Sequence, residues 1–140
     1  DAEGLLVARQ LTERLVLSNQ ERDEVAGILE TRSQFLKDWQ KMSIAARKRL
    51  LAGPYAQRAL GVLAAEDPGL HDRLSREIKP LLDQGVAPAP LITGGDLLQA
   101  GFKEGPGLGK ILYEVYDAQL EGRLQTPQAA LELAEQLRRS

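Results

Sequence analysis

The stretch Leu97-Leu98-Gln99-Ala100-Gly101-Phe102-Lys103-Glu104-Gly105-Pro106-Gly107-Leu108-Gly109-Lys110-Ile111-Leu112 decides how this chain is read. Leucines on either side recur at three- and four-residue steps, which predicts two helices joined by a glycine-dense hairpin. Pro106 suits the first helical position, where an amide would have no partner anyway. The next amides have no acceptor one turn back and carry partial positive charge, so a phosphate can sit against them. Gly105, Gly107 and Gly109 would let it approach, and Lys103 and Lys110 offer charge beside it. This is the logic of a helix-hairpin-helix, which grips a nucleic-acid backbone without reading sequence. The same glycines have a second reading, in which they only let two helices cross closely.

Working outward, the pattern stays helical and strand signals are nearly absent. Ser18 and Glu21 form a capping box that starts a helix at Asn19. Its stripe through Val25, Ile28, Leu29, Phe35, Leu36 and Trp39 is expected to break near 31–33. Ser43 caps a short helix ending at Gly53, and Pro68-Gly69 marks a corner. Thr93 and Asp96 open another helix, and Thr126-Pro127 sets a cap and an N1 proline before a last amphipathic helix. Pro88 and Pro90 exclude a helix over 85–90. The expectation is an all-α, irregular bundle of about seven to nine helices. Its parts would be a body over 1–85, a proline-containing linker at 86–90, and a tail over 91–140 that carries the hairpin.

Composition bounds the chemistry. With 140 residues and 43% apolar content the chain should fold. There is no cysteine and a single histidine, which excludes disulfides, Cys-ligated metals and a His-rich metal site. His71-Asp72 therefore cannot build the metal site of an HD phosphohydrolase. The hairpin is not a P-loop, because Glu104 stands at the first glycine position and Ile111 at the Ser/Thr position. No Asp-x-Asp pair is present, Glu21 and Asp23 diverge on their helix, and no catalytic or metal site is expected. No apolar run reaches the roughly 18 residues of a membrane span, and the first residues do not read as a leader, so a cytoplasmic protein is expected.

The formal net charge is only −2, so contact with nucleic acid would need a local patch. One exists between residues 31 and 60, where Arg32, Lys37, Lys41, Arg47, Lys48, Arg49 and Arg58 are opposed only by Asp38. Were Arg47, Lys48 and Arg49 to share a face, they would form a stripe able to follow phosphates. The other reading is a solvated face, with Phe35, Trp39 and Tyr55 in the core.

Three runs resemble a known family. They are Pro90-Leu91-Ile92-Thr93-Gly94-Gly95-Asp96-Leu97-Leu98, the segment Gly101 to Leu112, and Ala118-Gln119-Leu120-Glu121-Gly122-Arg123-Leu124-Gln125-Thr126. In this order they look like the C-terminal signature of bacterial tRNA nucleotidyltransferases and poly(A) polymerases. Glu13 to Asn19 and Lys48 to Pro54 are similar to that family's preceding helical part. Where relatives carry a His-Arg-x-Asp-like element, only Asp67 remains.

The resemblance implies the helical body and tail of such an enzyme, which hold RNA, tRNA above all. A separate head would use Mg2+ and nucleoside triphosphates to add nucleotides. This fragment would then be no enzyme and need no cofactor. Lys103, Gly105, Gly107, Gly109 and Lys110 carry over as RNA contacts, joined by Arg47, Lys48 and Arg49 from the basic patch. Kept beside this are a protein-interaction or homodimerisation module with a purely structural hairpin, and a helix-hairpin-helix DNA binder.

Overall fold

The computed structural model describes residues 2–6 and 19–140, and these are all-α, without a strand. Residues 2–6 are helical. Then come α1 (Asn19–Ser33), a π-helical turn (Gln34–Asp38), a 3₁₀ turn (Trp39–Lys41) and α2 (Ile44–Ala52). They are followed by α3 (Ala56–Glu66), α4 (Pro68–Gln84), α5 (Gly94–Gln99), α6 (Pro106–Leu120) and α7 (Pro127–Arg139). The Ser18 cap lies outside the described residues, as does most of the run from Glu13. Near Ser33 the chain does not break. Ser33 keeps helical dihedrals and the helix widens into the π-turn, which puts Phe35 and Trp39 inside with ring centroids 5.4 Å apart.

The chain divides into two compact units, residues 1–40 with 53–73, and residues 41–52 with 74–140. In the first, α1 packs on α3. Gly27 makes that possible, because a Cβ there would collide with the ring of Tyr55. Ion pairs also hold this unit together. Arg32 grips Glu66 with two hydrogen bonds, Nε to Oε1 at 2.9 Å, and this grip holds the Glu66 carboxyl below its ordinary value. Arg58 reaches Glu24 at 3.5 Å and lies over the Tyr55 ring. Asp67 joins two helices by itself: its amide donates to Leu63 O and its Oδ1 accepts from the Leu70 amide, which forms the corner at Pro68.

In the second unit α6 is the axis, with α2, α5 and α7 all packed on it. Ile92, Leu97, Phe102, Val115, Ala130 and Ala134 form its core. The caps read from the sequence are present. Ser43 Oγ accepts from the Ala46 amide at 3.1 Å, and Thr126 Oγ1 from the Ala129 amide at 3.1 Å. Thr93 and Asp96 form a reciprocal capping box.

The segment 86–90 falls inside this unit; the chain passes between the two units at 40/41, 52/53 and 73/74. The segment forms no helix, as the prolines require, and α6 ties it down. Tyr116 Oη donates to Pro88 O at 2.8 Å, Gln119 Nε2 donates to Ala89 O at 2.8 Å, and the Leu91 amide donates to Gln119 Oε1 at 2.9 Å.

Candidate functional site

The hairpin is built from helix-end chemistry. Gly101, at φ +93°, ends α5 in a Schellman motif: the Gly101 amide donates to Leu98 O at 3.1 Å and the Phe102 amide to Leu97 O at 3.0 Å. Leu97 and Phe102 are the hydrophobic pair that accompanies this motif, and both are buried in the core. One end of the turn is thereby pinned. Three residues on, Gly105 adopts φ +142°, a region open to glycine, and becomes the N-cap of α6 with Pro106 at N1.

The start of α6 is open. No side chain caps it. The Leu108 amide turns back to Gly105 O at 3.1 Å, while the Gly107 amide precedes the first full turn and has no helical acceptor. A Cβ built at Gly105, Gly107 or Gly109 would meet nothing within 4 Å. Close helix crossing therefore does not account for these glycines. Lys103, Gly105, Gly107, Gly109 and Lys110 are all exposed, and the ion pairs of this unit are made by other residues. The hairpin groove thus holds exposed Lys103 beside the open Gly107 amide, with Glu104 between Lys103 and the turn, and exposed Lys110 follows within the first turns of α6.

The basic helix α2 differs. Lys48 is buried, 5% exposed, and its Nζ donates to Leu120 O at 2.7 Å. The ammonium satisfies an orphan carbonyl at the negative end of α6, which is why a lysine is tolerated in the interior. Arg49 Nε donates to Asp117 Oδ1 at 2.7 Å, a second guanidinium nitrogen donates to Tyr113 O at 3.2 Å, and its Cζ lies 3.9 Å from the Tyr113 ring centroid. Arg47 is half-buried on the same helix. Successive residues on a helix point about 100° apart, so these three form no common outward stripe.

Arg138 was not among the residues expected here. It lines the 470 Å³ groove that also takes in Lys103, Gly105 and Gly107. Its guanidinium lies 4.0 Å from the Phe102 ring centroid and pairs with Glu135. In the sequence it reads only as a basic residue in the last turn of a helix, which the macrodipole explains.

Residues 75–134 match the family model described as tRNA nucleotidyltransferase domain 2. This run thus resembles a C-terminal region of a tRNA nucleotidyltransferase. The match lies wholly within the second unit and takes in the Thr93 box, the hairpin, α6 and the Gln119 clamp. No curated protein and no solved structure matches the chain. Among the described residues, no group of three His, Cys, Asp or Glu side chains is placed to hold a metal. No described helix is long and apolar enough to cross a membrane.

Proposed function

We propose that the second unit holds the sugar-phosphate backbone of RNA, tRNA above all, at the 101–110 hairpin. Nucleotide addition, with its Mg2+ and nucleoside triphosphates, belongs in this reading to a separate head domain of a cytoplasmic tRNA nucleotidyltransferase or poly(A) polymerase, and the fragment itself catalyses nothing. The observation that carries the reading is the pairing of open space over Gly105, Gly107 and Gly109 with two exposed, uncompensated lysines, Lys103 and Lys110. An open amide and exposed ammonium groups suit a phosphate, and neither distinguishes one base from another.

Lys48 takes no part in this grip, because its ammonium is spent on Leu120 O. Arg49 is engaged as well, and Arg47 stands on the same helix without joining it in a stripe.

Salt dependence is the test. For single-stranded RNA, every phosphate pairing that a substitution removes should flatten the log-log slope of affinity against salt by about 0.7, so Lys103→Ala with Lys110→Ala should flatten it by roughly 1.4. An unchanged slope rejects both pairings. Equal binding of tRNA and duplex DNA would replace RNA holding by general helix-hairpin-helix DNA binding. A tight dimer by light scattering that buries the hairpin would favour an interaction module.

A further inference from the structure

Beside the hairpin, a second groove of about 400 Å³ runs along α6, with Gly109, Leu112, Tyr113 and Tyr116 on one wall. From it we infer that Tyr113 is a stacking platform for one unpaired nucleobase of the RNA whose phosphate lies at the hairpin, an assignment that rests on the hairpin reading.

Tyr113 is a large aromatic left 56% exposed on a helix whose other tyrosine, Tyr116, is half-buried and committed to Pro88 O. Its ring is not loose. The Arg49 guanidinium stacks on it at 3.9 Å and is itself fixed by Asp117 and by the Tyr113 carbonyl. A ring held in advance loses little side-chain freedom when a ligand stacks on it.

The spacing favours a nucleotide over other occupants. Gly109 and Tyr113 are four residues apart, one helical turn and a rise of about 6 Å, so they lie on one face. A phosphate at Gly109 and Lys110 and a base on Tyr113 can therefore belong to the same stretch of strand. Lys110, three residues before Tyr113, lies on the same side of the helix and suits an anionic chain. Stacking needs no particular base, because every base presents a π-face.

The test uses the whole chain with two probes of equal length, oligo(A) RNA and an abasic ribose-phosphate oligomer. Tyr113→Ala should weaken oligo(A) binding about tenfold, within the range measured for losing one stacked base, and leave the abasic oligomer unaffected. Tyr113→Phe should bind both as the wild type does. Tyr113→Phe keeps the ring under Arg49 and should unfold as the wild type does, whereas Tyr113→Ala loses that contact and should unfold slightly earlier while staying folded at the assay temperature. Stacking is overturned if Tyr113→Ala binds oligo(A) normally, or weakens both probes alike. If the wild type binds the two probes equally, stacking fails while the phosphate grip stands. If the tenfold loss appears but Lys103→Ala with Lys110→Ala leaves the salt slope unchanged, the grip at the lysines fails and the platform stands.

Discussion

Helix α2 and the 101–110 hairpin are both rich in cations, and they use them in opposite ways. In α2 the charges turn inward: Lys48 closes the end of α6 and Arg49 braces Asp117 and Tyr113. At the hairpin Lys103 and Lys110 stay exposed, and Gly105, Gly107 and Gly109 between them are required by no neighbour. Density of positive charge along a sequence is therefore a poor guide to a phosphate site; what matters is whether the fold supplies the counter-charge. The glycines repeat the contrast. Gly27 is demanded by the Tyr55 ring, whereas Gly107 and Gly109 have helical dihedrals and empty surroundings.

The contrast can be broken most forcefully at Lys48. Lys48→Ala removes a buried donor and its packed stem and leaves the Leu120 carbonyl in the interior, at a cost of about 2–3 kcal/mol by denaturant titration. A drop in RNA affinity with stability unchanged would return Lys48 to the binding surface. Next is Gly27→Ala, where the added methyl must displace the Tyr55 ring, costing about 1–3 kcal/mol. A neutral result would mean the ring yields freely. At the hairpin the sign reverses: Gly109→Ala should stabilise the fold by up to about 1 kcal/mol, since alanine is the better helix former and meets no neighbour. Destabilisation there would restore a structural role for that glycine.

The smallest effect is in acid. Glu66 is held below its ordinary value by Arg32, so the contribution of the pair is present above the unfolded carboxylate pKa, about 4.3, and is lost as pH falls through the lower folded value. The pair is solvent-exposed, so the difference should be slight. Glu66→Gln should lower stability slightly at neutral pH, and its difference from the wild type should vanish as pH falls through that window. A difference that grows above neutrality would contradict the sign.

How much of this was legible in the sequence depends on distance along the chain. The caps at Ser43, Thr93 and Thr126, the glycine ends at Gly101 and Gly122, and the N1 prolines at 106 and 127 were readable because each acts within one turn of itself. The hairpin residues were readable for the same reason. Illegible were the partners that answer the basic patch: Glu66 lies 34 residues from Arg32, and Asp117 lies 68 from Arg49. So too were the reach of Arg138 into the hairpin groove and the binding of segment 88–91 by Tyr116 and Gln119. The prolines correctly excluded a helix there, but non-helical backbone is not free backbone, and a packed helix supplied what the segment needed. The π-turn also escaped, since the stripe through Phe35 and Trp39 continues across it with only a change of winding.

The central claim is tested most directly by RNA titration of Gly107→Val at fixed salt. A Cβ at this position meets nothing in the protein, so the variant should unfold at the wild-type temperature while its affinity for single-stranded RNA falls by at least about tenfold, the branched side chain occupying the space meant for a phosphate. Wild-type affinity with an intact fold would contradict the account.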